Sequence, residues 1–284
     1  MKRPFFAVII VMLLTTLACS VNITIPTMQL GPTKTFTVNE PIPSGASQTS
    51  ISMTMGAGTL KLNGGASGLV EGTIKYNVPG WDPNISSLIN QVIITQGETT
   101  NITGIPSSDL VNDWVLKLSD TEAMNLKIAA GAYKGTMDFS GLHLLSLSIM
   151  DGASQNKVVF DTPNPEKMDT FIYRTGASQV ELDGLANANF ANMEFEGGAG
   201  QFTFDFTGAL KQDTSVTIKA GVSSITIIVP TAMSVTFVNS GGASNITTTG
   251  TWTVNGETYT TDGSGYLLTL HSQIAVGTVK LVRK

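Results

Sequence analysis

The chain has 284 residues, of which 42% are hydrophobic and only 13% are charged, so it can bury a large core. Its formal net charge is −5 at pH 7, and its lysines and arginines form no cluster. Nucleic-acid binding requires such a cluster, so the composition excludes that function. Abundant glycine, threonine and valine favour β-structure.

The first residues, MKRPFFAVIIVMLLTTLACS, predict a secretion signal. Two basic residues precede an apolar run, Phe5–Leu14, and the uncharged stretch around it, Pro4–Ala18, is too short to span a bilayer. Ala18 before Cys19 is typical of a bacterial lipoprotein signal, although Thr16 stands where leucine is more usual. We predict a signal helix within residues 1–18 and lipidation of Cys19, the only cysteine, which would anchor an extracytoplasmic protein to the membrane. The alternative is an incidental thiol in a segment that is cut off.

Three segments follow the signal. Residues 19–43 carry four prolines and predict a tether. Residues 44–140 predict an irregular N-terminal part, in which loops separate short strands. Residues 141–284 predict regular coils, with a terminal hairpin and a cap.

A repeat runs through most of these residues. Six glycines mark breaks in an alternating pattern, and apolar residues stand five and three positions before each of them. Apolar residues also recur at period two after each glycine, so we predict a strand with one buried face on either side. The six glycines are Gly56, Gly131, Gly152, Gly176, Gly198 and Gly221.

The spacing of these glycines predicts the fold class. From Gly131 onward they recur every 21 to 24 residues. This period indicates an all-β, single-stranded β-solenoid with coils of about 22 residues and Gly-Ala corners. We expect glycine to supply a positive φ at the corner, and the alanine beside it to fit inside.

The C-terminal residues predict how the stack ends. Asn255-Gly256 is a strong hairpin signal that would pair Trp252 with Tyr259. The final stretch, SQIAVGTVKLV, predicts a last coil around Gly277 that covers the end of the core.

Several stretches resemble a known family. SISMTMGAGTLKLNGGASGLVEGTIKYNVPGW is similar to the N-terminal part of bacterial toast-rack domain proteins, and ANMEFEGGAGQFTFDFTG to their repeated coils. The resemblance extends from about Ile42 to Val282. It implies a β-solenoid found in lipoproteins and tethered envelope proteins, related to the C-terminal domain of LiaF-like envelope-stress proteins and to adhesin β-solenoids. It brings no catalytic residues. The chain departs from the LiaF-like plan because it lacks several transmembrane helices.

Three residues are candidates for ligand binding. Asp183 and Asp205 each fall seven residues after a corner glycine, so we expect them side by side on neighbouring coils. Such a pair could bind Ca²⁺ or cleave a glycan, or it could simply satisfy loop N–H groups. Trp81, in the loop VPGWDPN, could stack on sugars or pack within its own domain.

We predict no catalytic residues, cofactor or metal site, because the two histidines and one cysteine match no nucleophile motif or zinc set. The flat faces of a solenoid suit extended partners. The sequence thus favours a lipid-anchored, adhesin-like binding or scaffold protein of the bacterial envelope, with cell-wall glycan or an envelope protein as partner. Two alternatives stay open: an envelope-stress regulator that contacts a membrane sensor, and a polysaccharide-active solenoid enzyme.

Overall fold

The computed structural model describes residues 29–45, 47–97 and 109–284, which form one sheet of sixteen strands. The predicted signal helix and Cys19 lie outside these residues. In the described part, no helix has the length and apolarity needed to cross a membrane. The strands are β1 (Lys34–Glu40), β2 (Thr49–Ala66), β3 (Val70–Tyr76), β4 (Asn84–Leu88), β5 (Gln91–Thr95), β6 (Asn112–Ser119), β7 (Met124–Asp138), β8 (Leu144–Val159), β9 (Met168–Asp183), β10 (Phe190–Asp205), β11 (Thr214–Val229), β12 (Met233–Asn239), β13 (Ala243–Thr249), β14 (Thr253–Asn255), β15 (Thr258–Thr260) and β16 (Ser264–Arg283).

Seven long strands form the centre of the sheet, in the order β2-β7-β8-β9-β10-β11-β16, and each neighbouring pair is parallel. The register places equivalent residues side by side: Leu147 faces Leu126 on one side and Phe171 on the other. We call such a row of register-matched residues a column. This in-register stack is consistent with the predicted β-solenoid.

Each long strand changes its buried face at the corner glycine. In β9, Phe171 and Tyr173 are buried before Gly176, and Val180 and Leu182 are buried after it. All twelve apolar positions predicted before the six glycines are buried, so one apolar core runs along the stack. Burial of apolar surface is the main force that holds the coils together.

The corner glycines are required for a reason that the sequence did not predict. None of the six has a positive φ. In five of them, an added Cβ would come within 2.3 to 2.9 Å of the carbonyl oxygen of the preceding corner glycine. The alanine after the glycine is exposed and not inside, as Ala132, Ala153, Ala177 and Ala199 show. Close backbone approach between neighbouring coils therefore explains the glycines.

The C-terminal end also differs from the prediction. Strand β16 does not cover the end of the core but lies between β11 on one side and β12 and β13 on the other. Its corner is Ala275 and not Gly277, because Ala220 faces Ile274 and Val222 faces Val276, which places Ala275 beside Gly221. The predicted hairpin is present, but Val254 and not Trp252 faces Tyr259. The chain turns one residue later than expected, at Gly256-Glu257, with Gly256 at φ 59°.

Candidate binding groove

The structure gives the three predicted ligand residues different surroundings. Trp81 is buried, with 3% of its surface exposed, and belongs to the core. Its ring is therefore not available to stack on a sugar, and packing within the domain is the alternative that the structure supports.

Asp183 and Asp205 end the neighbouring strands β9 and β10, but each interacts with its own lysine. Lys157 Nζ lies 2.7 Å from Asp183 Oδ2, and Lys284 Nζ lies 3.1 Å from Asp205 Oδ2. Burial alone would raise the pKa of Asp205, but hydrogen bonds from Thr207 and Lys284 outweigh it and hold that pKa below its ordinary value. A glycosidase acid needs a raised pKa, so this environment does not suit Asp205 to that role. In the described part of the chain, no three His, Cys, Asp or Glu residues come together as a metal set.

A different feature stands out along the corners of the C-terminal coils. A groove of about 640 Å³ runs across β8, β9, β10, β11 and β16 to the turn that joins β12 and β13. We call it the corner groove and define it by Asp151, Arg174, Glu196, Lys219, Gln273 and Ser240–Gly242. Two corner residues, Gly198 and Ala275, line it directly.

One column supplies the charged side of the groove. Four residues each stand two positions before a corner, and the register places them side by side in one column. We call this column the charged row; it consists of Arg174, Glu196, Lys219 and Gln273. Parallel strands lie about 4.8 Å apart, so the row presents alternating charges at that repeat. The sequence analysis missed this row because the column faces outward and breaks no apolar pattern.

The charges in the row are linked to each other. Arg174 Nε donates to Glu196 Oε2 at 3.0 Å, and Arg174 Nη2 donates to Glu194 Oε2 at 3.3 Å. Lys219 Nζ lies 3.6 Å from Glu196 Oε1. The hydrogen bond from Arg174 lowers the pKa of Glu196, which keeps that carboxylate charged. These side chains are about half exposed, and exposed ion pairs add little stability, so the row matters more as a charge pattern.

Asp151, which lines the groove, belongs to a polar network that reaches into the core. Asp151 Oδ2 accepts from the hydroxyls of Tyr173 at 2.9 Å and Tyr133 at 3.4 Å. Asn156 Nδ2 donates to the same two hydroxyls, at 2.6 and 2.8 Å. Burial raises the pKa of both tyrosines, so they stay neutral donors at physiological pH. The network thus fixes the Asp151 carboxylate at the edge of the groove.

Gly135 makes room for this network. A Cβ on Gly135 would lie 2.3 Å from Asn156 Oδ1, which has no hydrogen-bond partner among the described residues. Asn156 occupies a column that is otherwise apolar in the next coils, where Val180 and Phe202 follow it. A polar residue in an apolar column was the one signal in the sequence that could have revealed the network.

Comparison with known proteins gives a family match and a fold likeness. The family described as the N-terminal domain of toast_rack, DUF2154, matches residues 27–173 and 170–228. A candidate cell adhesion protein from Clostridium sporogenes ATCC 15579 is 17% identical, with a TM-score of 0.45, covering 90% of this chain and 100% of that one. A candidate adhesin from Bacteroides fragilis NCTC 9343 is 12% identical, with a TM-score of 0.32, covering 90% of this chain and 98% of that one. No curated protein matches the chain.

Proposed function

The chain belongs to the family of the toast_rack N-terminal domain, and from this premise we propose that it is a non-catalytic binding or scaffold protein of the bacterial cell envelope. In this proposal it is a β-solenoid with coils of about 22 residues, exported and anchored to the membrane through lipidated Cys19. The corner groove is its binding surface.

The row of alternating charges is the observation that carries the proposal. Arg174, Glu196 and Lys219 lie in register along the stack, and Asp151 adds a second carboxylate beside them. An extended partner aligned with the stack would meet cation, anion and cation in turn. Complementary charge favours a partner that carries both amino and carboxylate groups. A cell-wall peptide or an envelope protein has both groups, whereas a neutral glycan has neither.

Site-specific photo-crosslinking in cells tests the groove. The full-length chain would carry a photoreactive amino acid in place of Gln273, which is exposed within the groove, or in place of Gln201, which is exposed on the other half of β10. We expect a cell-wall or envelope-protein adduct from position 273 and none from position 201. Equal adducts from both positions, or none from either, would contradict the groove as binding surface. A membrane sensor recovered at position 273 would favour the regulator alternative.

A fractionation experiment tests the anchor separately. We expect the wild-type chain in the membrane fraction, and the Cys19→Ser chain in the soluble extracytoplasmic fraction, since a lipidated cysteine would be the attachment point. If both chains stay in the membrane fraction, Cys19 is not the anchor. This outcome would leave the groove experiment unaffected.

A further inference from the structure

The two ends of the stack are built alike, but only one is fully covered. At each end a long strand pairs with two short strands: β2 with β5 and β6, and β16 with β12 and β13. Three of these short strands have a further, antiparallel neighbour: β4 lies on β5, β3 on β6 and β15 on β12. Among the described residues, no strand lies on the outer edge of β13.

The residues of β13 that lie over the core columns are incompletely covered. Ile246 faces Val279 and Thr248 faces Leu281, the columns that at the other end contain Trp114 and Leu116 of β6. Trp114 and Leu116 are fully buried, because β3 lies on β6. Ile246 is only partly buried, and Thr248 is exposed. Of the four short strands at the ends of the stack, β13 therefore lacks a covering strand.

Strand β13 also lacks the features that keep sheet edges from pairing. Natural proteins guard exposed edges with charges, prolines or very short strands. The seven residues Ala243–Thr249 include no charged residue and no proline. By contrast, the outer strand β1 carries Lys34 and Glu40, and the other two outer strands are shorter, with five residues in β4 and three in β14. An unguarded edge of this length indicates a strand that is meant to pair.

The strands that precede and follow β13 in the chain are already paired elsewhere: β12 with β16 and β15, and β14 with β15. We therefore look for the covering strand in another molecule.

We propose that β13 pairs with β13 of a second copy of this chain, antiparallel across a two-fold axis. A two-fold axis makes the paired strands antiparallel, which is the orientation that β4, β3 and β15 already have on their neighbours. Because β13 is uncharged, self-pairing brings no like charges together. The pairing would also cover Ile246 and Thr248 of both copies. This inference is independent of the corner groove and of its ligand.

Sedimentation of the full-length chain in detergent, over a range of concentrations, tests the proposal. Two seven-residue strands make an interface below the roughly 1,200 Å² of stable complexes, so we expect a dimer that dissociates on dilution. The variant Asn245→Lys/Thr247→Lys places lysines on the exposed face of β13 and should stay monomeric, as should Asn245→Glu/Thr247→Glu. A mixture of the two variants should form a heterodimer.

Complementation between the variants separates lost pairing from lost folding. Because Lys280 lies beside Thr247, a lysine at position 247 would stand next to a like charge within the same molecule. The melting temperature of each variant is therefore measured as well. The matched control, Gln201→Lys/Thr203→Lys, occupies the same two columns on β10, whose edges are both paired, and should dimerise like the wild type. A wild type that is monomeric at every concentration would overturn the proposal. So would lysine and glutamate variants that dimerise alone, or that fail to pair when mixed.

Discussion

Gly176 lies directly against Gly152 of the preceding coil, so that a Cβ on Gly176 would come within 2.3 Å of the Gly152 carbonyl oxygen. Gly198 stands in the same relation to Gly176, at 2.6 Å. The corners of neighbouring coils can therefore approach only because these side chains are absent. The stack, and with it the spacing of the charged row, depends on this contact.

Replacing one corner glycine should weaken the stack. We expect Gly176→Ala to lower the free energy of unfolding by about 1–3 kcal/mol, because the methyl group forces the two backbones apart. Chemical denaturation of the full-length chain measures the effect. Ala177→Ser is the control: Ala177 is exposed at the same corner, so its change should stay within about 0.5 kcal/mol. If Gly176→Ala is as stable as the control, close approach is not what requires glycine.

The polar network that includes Asp151 gives a second stability prediction. Tyr173→Phe removes the hydroxyl that joins Asn156 to Asp151 and leaves buried polar atoms with fewer partners. We expect the free energy of unfolding to fall by about 1–3 kcal/mol. Tyr259→Phe is a suitable control, because Tyr259 is only partly buried and its ring, which the substitution keeps, packs against Phe237. Equal denaturation curves for the two variants would show that the network does not stabilise the fold.

The sequence predicts the columns of this fold better than the order of its strands. Phe171 and Tyr173 could be assigned to the core because period-two burial is a local property of a strand. The reason for Gly176 could not be predicted, because it lies in a carbonyl group 24 residues away along the chain. The place of β16 between β11 and β12 was also beyond the pattern, since Leu270 and Leu281 would fit the apolar columns of any coil.

The candidate site was less predictable for the same physical reason. Outward columns carry no hydrophobic signal, so the register that aligns Arg174 with Glu196 and Lys219 is visible only after the coils are stacked. The spacing of Asp183 and Asp205 did indicate neighbouring strands. It could not show that Lys157 and Lys284 interact with them separately.

Asp205 should make part of the protein's stability dependent on pH. Its folded-state pKa lies below the ordinary value of 3.8, so ionised Asp205 stabilises the fold above that value, and this contribution is lost as the pH falls through the folded pKa. We therefore expect Asp205→Asn to reduce the loss of stability as the pH falls below 3.8. Melting temperatures across the acid range measure it. Lys284→Met should act in the same direction but more weakly, because the hydrogen bonds from Thr207 remain. Identical acid curves for Asp205→Asn and wild type would contradict this account.

Exchanging two charges in the corner groove separates binding from folding. Arg174→Glu/Glu196→Arg keeps an ion pair on the same two strands but changes the order of charges along the row from cation, anion, cation to anion, cation, cation. We expect the photo-crosslink at position 273 to disappear while the free energy of unfolding changes by no more than about 0.5 kcal/mol, since exposed ion pairs contribute little.

The matched control for this exchange is Gln179→Lys/Gln201→Glu, which places an opposite-charge pair on the outer face of the same strands, outside the groove. It leaves the net charge unchanged, as the groove exchange does, and should retain the crosslink. If both variants retain the crosslink, the partner does not recognise the charged row. If both lose it, the long-range field of the protein and not the groove controls binding, because only the first variant alters the groove itself.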